Sequence, residues 1–582
     1  MKPTRIRASG VIVGLAIALV GSLPFAGCAN GVGSSSEDSG IGTDMDAGED
    51  ASGDTDSDSD MDGDTDSDSD TDGDTDTTVC GGDDSRCDGN MVQHCGGGTW
   101  QDYDDCAAQG MTCTIIKGEA QCVGGDTDTG SDTDGDTDSD TDTDPCSAFQ
   151  LGKSYIGCEY YPTVTVNSYF ANFPFHFAVA VSNASSEVAN VTVTMGTSTV
   201  ATETVAADSV AVVTLPWTNL RTSGTATVKV ADGAYHLVSD RPVTVYQFNP
   251  LEYTNAGSFS YTNDASLLLP VNAWGTTYMV ASRNTWTSYS GFYAVVAKKD
   301  DTTVTLTPSA TGTAIRPGAG LTSNSGNVTL NEGDVLQVLS GTSASDDLTG
   351  TLLTADKPIQ VIAGHDCTQI PSNVYAGDHL EEAMFPVPTL AKEYIVSPPS
   401  LPTMTQPKAF FVRIIAIEAG TALQYDPPNG AWPTGLANAG DYVEVDSAAD
   451  FKITADKRVL VSQYMKSQDA GGGSGDPAMA LAVATEQFRK SYLFHASTNY
   501  TSSYVNIIAP TGANVMLDGA AVTSWAVVGS TGYGVSRVLL PNTGDGNHRV
   551  VSDEKVGITV YGYGTYTSYW YPGGLNLDDI IW

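Results

Sequence analysis

The stretch Leu237–Phe248 reads LVSDRPVTVYQF, and it returns three times along the chain. LLTADKPIQVIAG occupies Leu352–Gly364, ITADKRVLVSQY occupies Ile453–Tyr464, and VVSDEKVGITVYGY occupies Val550–Tyr563. Each copy has an apolar opening, Ser or Thr, an Asp, long polar residues and then a Val-rich strand. The Asp anchors are Asp240, Asp356, Asp456 and Asp553. An Asp at such a corner is expected to cap the turn between two strands by accepting backbone N–H bonds.

Working outward, each copy is preceded by a tyrosine strand, at GKSY155, TTY278, AKEY394 and RKSY492. A run that reads as a buried strand then follows: FHFAVAVSN, GFYAVVAKK, AFFVRIIAI and SYVNIIAP. Tyrosine and aspartate are separated by 85, 78, 62 and 61 residues, enough for six or seven short strands. That is the size of a small β-sandwich. Propeller blades need only about 40–50 residues, so a four-bladed propeller is the second choice. Helical periodicity is nearly absent, and the best short helix candidate lies within Asp476–Phe488. The expected fold is all-β. It is a tandem array of about four β-sandwich-like repeats at 146–265, 266–383, 384–483 and 484–582, preceded by a disulfide-rich module and disordered Asp-rich linkers.

The rest of the 582-residue chain has a different texture. Its net charge is −44, from 26 Lys+Arg against 70 Asp+Glu. Residues 37–76 hold 18 acids and residues 126–144 hold nine, with no Lys or Arg in either. These stretches have nothing to bury, so they read as solvated, self-repelling spacers. Ala29–Val79 would reach at most about 170 Å. Asp58, Asp60, Asp62, Asp64 and Asp66 match the opening of an EF-hand loop and also resemble thrombospondin type 3 repeats, which makes weak calcium binding the alternative. Position 12 of that loop is Ser69 instead of Glu. The acidity excludes nucleic acid as a partner, because phosphate binding needs clustered bases.

Met1–Gly27 reads as a signal sequence, with Lys2, Arg5 and Arg7 before the apolar Val11–Val20. Phe25-Ala26-Gly27-Cys28 resembles a bacterial lipobox, which implies lipid attachment at Cys28 and an outer-membrane anchor facing outside, or alternatively the periplasm. In such a compartment disulfides persist. Cys80, Cys87, Cys95, Cys106, Cys113 and Cys122 therefore read as a disulfide module spanning 80–123, followed by the linker 124–145. Of the remaining three, Cys146–Cys158 is the local pairing, while Cys158–Cys367 would staple two repeats.

One dense polar constellation stands out: His365-Asp366-Cys367, then Asp378-His379-Leu380-Glu381-Glu382. Two His and several carboxylates suit a metal, and a Cys–His pair suits a nucleophile. Almost all of these groups come from one loop, however, whereas catalytic groups converge from several segments. The expected role of His365 and His379 is to satisfy buried loop carbonyls between repeats. No G-x-S-x-G, H-E-x-x-H or P-loop occurs.

GCEYY (Gly157–Tyr161), WGTTY (Trp274–Tyr278), GHDC (Gly364–Cys367), DHLEE (Asp378–Glu382) and GDPAM…EQF…Y.F (Gly475–Phe494) stand in an order that resembles the N-terminal domain of the IgG Fc-binding protein family. The resemblance spans about 146–582 and implies a non-enzymatic, extracellular binding or scaffold domain. Relatives often carry Cys before DHLEE, where this chain has Gly377, and that departure favours Cys158–Cys367. The expected function is that of a surface-anchored bacterial lipoprotein that displays a binding or adhesion domain. Its ligand would be an extracellular protein or glycan, with no cofactor beyond weak calcium. The alternatives are a self-associating envelope protein and a hydrolase centred on the His365–Glu382 loop.

Overall fold

The computed structural model describes residues 85–88, 90–96, 99–107, 111–116, 119–124, 144–168, 174–401, 406–471, 475–578 and 580. Cys28, the Asp58–Asp66 repeats, Cys80 and the side chain of Cys95 lie outside the described residues. Two compact units are present, one within 35–141 and one from 142 onward.

In the smaller unit, Ser85–Asp88, Met91–Gly96 and Thr99–Asp105 form an antiparallel sheet. Met111–Ile116 and Glu119–Gly124 form a hairpin. Among the described residues its core consists of Val92, Cys106, Cys113 and Ala120, with Cys87 and Cys122 packed against them. A core this small needs covalent support, and bridges Cys87–Cys113 and Cys106–Cys122 supply it.

The larger unit is nearly all antiparallel β, and its four sequence repeats are four copies of one two-sheet unit. In repeat 1 the long strand His236–Phe248 belongs to both sheets. Its first half pairs with Ala189–Met195 and Gly157–Tyr160, in the outer sheet. Its second half pairs with Phe177–Asn183 and Ala265–Leu268, in the inner sheet. Leu352–Gln369 and Asn547–Gly564 do the same in repeats 2 and 4. In repeat 3 the strand is broken into Phe451–Ala455 and Val459–Met465. Burial follows from this division. Outer strands such as Ala189–Met195 alternate buried and exposed, whereas Phe177–Asn183, Gly291–Ala297 and Val459–Met465 are buried at every position. A continuous apolar run is the pattern of a strand covered on both faces.

The recurrent aspartates sit at the corner where the chain leaves the outer sheet. Their carboxylates accept backbone N–H bonds from Asn190, Thr303, Ala422 and Asn514 at 2.7–2.8 Å. All four are solvent-exposed, so they cap strands and do not form a site. The tyrosines complete the corner from inside. Tyr278, Tyr394 and Tyr492 donate to the carbonyls of Ile359, Val459 and Val556 at 2.7, 2.8 and 2.5 Å, each three residues past the Asp. Each hydroxyl also accepts an N–H from three residues upstream, at 2.9 Å. In repeat 1 this role belongs to Tyr160, which donates to Val243, and not to Tyr155. GKSY155 matches RKSY492 in letters, but the pairing of Gly157 with Val243 sets the register five residues later.

Tyr394→Phe leaves the Ala391 N–H without its partner and removes one bond to a buried carbonyl. Each unmet buried group costs about 1–3 kcal/mol. The variant is expected to lose about 2 kcal/mol in urea unfolding, and an unchanged midpoint would disprove the corner's role.

Two further expectations are corrected. Asp476–Phe488 is no α-helix; it is extended, with strand Met479–Leu481 and a 3-10 turn at Thr485–Gln487. Its Ala and Met residues favour helix, but the stretch is enclosed between repeats and its backbone pairs with Ser462–Tyr464. The second correction concerns Cys158, which bonds to Cys146 and not to Cys367. Cys367 lies buried against Trp286 and is not a free thiol.

Candidate functional site: a buried polar hub

The last strand of each repeat, Ala265–Leu268, Gly377–Ala383, Met479–Leu481 or Thr567–Pro572, turns inward, and the four meet at a common centre. We call them hub strands. At their meeting point stands Asp264, with no exposed surface. One of its oxygens accepts the N–H groups of Ala265 (2.9 Å) and Trp570 (3.1 Å), and the other accepts those of Met479 (3.0 Å) and Glu381 (3.2 Å). One carboxylate thus takes one bond from every repeat. A carboxylate offers about four lone-pair sites, and here each one is filled. Burial pushes the Asp264 pKa up, and the four N–H bonds pull against it.

The DHLEE segment, read as a candidate ligand set, lies on the repeat 2 hub strand. Asp378 accepts from Asn263 N–H (2.6 Å) in repeat 1, and from Thr567 Oγ1 (2.9 Å) and Ser568 N–H (3.1 Å) in repeat 4. Glu381 accepts from Thr165 Oγ1 (2.6 Å), Gln247 Nε2 (2.9 Å) and Asn249 Nδ2 (3.0 Å), all in repeat 1. Glu382 accepts from Ser266 Oγ at 2.8 Å. Asp366 takes both the N–H (2.7 Å) and the hydroxyl (2.6 Å) of Ser168. Every one of these carboxylates is at most 2% exposed.

The two histidines are equally enclosed. His365 Nε2 faces the Asn284 carbonyl at 3.1 Å, while its Nδ1 accepts the Cys367 N–H at 3.1 Å. Those partners assign the proton to Nε2. Burial holds the His365 pKa down to about 3, so the ring is neutral. His379 Nδ1 faces the Asp366 carbonyl at 3.3 Å. Gly364 of GHDC is required by close packing, because a Cβ there would stand 1.8 Å from the Leu380 carbonyl oxygen. The carboxylates of the constellation therefore bond backbone and side chains of neighbouring repeats, while His365 bonds within repeat 2. A Cys–His nucleophile is not available, since Cys367 is no free thiol.

The seams close into a ring. Repeat 1 meets repeat 2 where Val228–Val230 pairs with Val335–Leu339. Repeats 2 and 3 share the Arg413–Asp347 ion pair at 2.8 Å. Repeats 3 and 4 meet through Asn506 Nδ2 on the Ser397 hydroxyl at 3.0 Å. Repeat 4 returns to repeat 1 through Tyr246, whose hydroxyl donates to Gly573 O at 2.8 Å. The centre is thus closed as in a propeller, with two-sheet units in place of blades.

The family described as IgGFc binding protein matches residues 264–562. The chain belongs to the IgGFc-binding protein family. The match begins at the hub aspartate, Asp264, and covers repeats 2 and 3 with most of repeat 4. The human IgGFc-binding protein is 24% identical over 320 residues, which is 52% of this chain and 5% of that protein. The chain therefore spans only a small part of that relative's length. Two solved structures are more distant. The BSP domain of a biofilm associated protein has 6% identity over 73% of this chain and 97% of its own, with a TM-score of 0.10. A tetra-tandem repeat from the extending region of a large adhesion protein has 12% identity over 68% and 93%, with a TM-score of 0.07. At these scores neither bears on the fold.

Outside the hub of this IgGFc-binding domain, sequence reading missed one cluster. Glu159, His236 and Glu332 bring ligand atoms within 4.8 Å of one another at the seam of repeats 1 and 2. Lys298 already lies between the two carboxylates and bonds Glu159. Tyr161 donates to Glu332 at 2.7 Å. These partners make the cluster an inter-repeat ion network with its own resident cation. The signal for it was weak, because its members are far apart in sequence. In the aromatic run Tyr563–Tyr571, Tyr563, Tyr569, Trp570 and Tyr571 are buried, and only Tyr566 among the aromatics reaches solvent.

Proposed function

We propose that this chain is a non-enzymatic binding protein displayed on a bacterial surface. Lipid at Cys28 anchors it, and the Asp-rich segments hold the IgGFc-binding domain away from the membrane. The observation that carries this reading is the fate of the polar motif residues. Asp366, Asp378, His379, Glu381 and Glu382 are buried and bonded across seams, and His365 is buried and bonded within repeat 2, so the groups a hydrolase would need serve cohesion instead. Family membership adds the expectation of a protein ligand. Among the described residues no helix is long and apolar enough to cross a membrane, which is compatible with attachment through lipid.

Protease added to intact cells that express the full chain tests display. The domain is expected to be released from wild-type cells, and Cys28→Ala is expected to shift the chain out of the membrane fraction. A domain that survives until the envelope is broken would refute surface display.

A further inference from the structure

We infer that the loops at one end of the hub form a binding surface for a folded protein partner; this rests on the binding reading above. Four segments gather there: 254–261 from repeat 1, 371–376 from repeat 2, and 497–503 and 564–567 from repeat 4. Their contacts establish the convergence. Tyr566 lies 6.2 Å from Tyr261 and 5.8 Å from Tyr375, centroid to centroid. The Thr254 N–H donates to Asn499 Oδ1 at 2.8 Å. Phe259 stacks on Tyr261 at 6.4 Å and is 45% exposed. Tyr261, Tyr375 and Tyr566 are half-buried. Phe259, Tyr261, Tyr566 and Tyr375 thus make an unbroken aromatic row across three repeats.

Composition identifies the partner class. The four segments hold 25 residues, of which 20 are Tyr, Ser, Thr, Asn or Gly and none is Asp, Glu, Lys or Arg. At the chain's average of 16% charged, about four charges would be expected there. Loops of Tyr with Ser, Gly and Asn are the composition of antibody paratopes, where rigid rings give contact area and small polar groups adapt. Depletion of charge is the mark of an interface core. The absence of Lys and Arg excludes a nucleic acid. Ring orientation argues against a polysaccharide. Tyr261 and Tyr375 stand at 60° and 88° to Tyr566, so the row does not present the aligned faces that would stack a sugar chain.

The loops are also held in advance of binding. Segments 254–261, 371–376 and 564–567 each lead into a hub strand. Asp378 ties two of those bases together through Asn263 N–H (2.6 Å) and Thr567 Oγ1 (2.9 Å). Loops fixed on a rigid base lose little entropy when they bind.

The test uses the full chain against immobilised folded extracellular proteins, human IgG Fc among them, and against a glycan array. Phe259→Ser combined with Tyr566→Asn removes the exposed end of the row and the ring that joins Tyr261 to Tyr375, and Asn suits the positive φ of Tyr566. Met516→Ser with Val551→Ser is the control, since these exposed cross-strand neighbours lie on the outer sheet of repeat 4. Wild type and control are expected to bind a folded protein alike, and the loop variant about tenfold or more weakly with unchanged melting. Equal binding by the loop variant, binding to glycans only, or self-association through this face would overturn the inference while leaving a binding role intact. If wild type binds no protein and no glycan, the inference and the proposed function fall together.

Discussion

Asp264→Ala is expected to prevent the ring from closing. The substitution leaves the N–H groups of Ala265, Trp570, Met479 and Glu381 facing an empty space at the hub. An unmet buried donor costs about 1–3 kcal/mol, so four in one place cost at least about 4 kcal/mol even allowing for relaxation. A typical domain has only about 5–15 kcal/mol in total. Asp264→Asn keeps the shape but replaces one accepting oxygen with an NH₂ group that points at two donors. It is expected to fall between alanine and wild type. Urea unfolding together with limited proteolysis checks both variants. An Asp264→Ala protein with a wild-type midpoint and wild-type protease resistance would show that the hub is not held by this carboxylate.

The hub explains why a motif with the composition of an active site lies buried between repeats. A ring of four repeats must fill its centre, and each inward strand arrives with backbone groups that its own sheet does not satisfy. Apolar side chains cannot accept those N–H bonds, whereas carboxylates accept several each. A centre rich in Asp and Glu is therefore what closure demands.

This division also determines what was legible in the sequence. The repeat could be read because its corner is local. Asp240 and Val243, or Asp456 and Val459, lie three residues apart, and the Val-rich inner half follows directly. The all-β character and the sandwich size of each repeat follow from the same periodicity. The hub could not be read, because its bonds join residues such as Asp264 and Trp570, 306 apart in sequence. From spacing alone, His379, Glu381 and Glu382 look like a ligand set, since nothing local reveals that Thr165 and Gln247 arrive to bond Glu381. Tyr155 was misjudged for the opposite reason. The local match to RKSY492 was good, but strand register, which is long-range, selects Tyr160. Met479–Leu481 failed as a helix for the same cause: tertiary pairing overrode propensity.

The second large effect belongs to Arg413, at the seam of repeats 2 and 3. Its Nη1 bonds Asp347 Oδ2 at 2.8 Å, with only 3% of either side chain exposed, and its Nε bonds Glu444 Oε2 at 2.7 Å. Arg283 also bonds Glu444, at 2.8 Å. These cations hold the Glu444 pKa down to about 2, and Arg413 holds the Asp347 pKa below the usual carboxylate range despite burial. The sign follows from linkage. A depressed carboxyl pKa contributes stability in full above its unfolded value, about 4.3 for Glu, and loses it as pH falls toward 2. Arg413→Met keeps the volume but leaves Asp347 buried without its cation. Breaking a buried pair in this way costs about 3–5 kcal/mol at neutral pH. Burial of Asp347 is then opposed only by hydrogen bonds such as those from Thr349 and Tyr442, so its pKa rises, and protonation on acidification relieves the variant more than the wild type. The stability gap between the two proteins is therefore expected to narrow between pH 7 and pH 4. Urea titrations at several pH values measure it. A gap below about 1 kcal/mol at pH 7, or one that stays constant down to pH 4, would mean that the Arg413–Asp347 pair does not hold this seam.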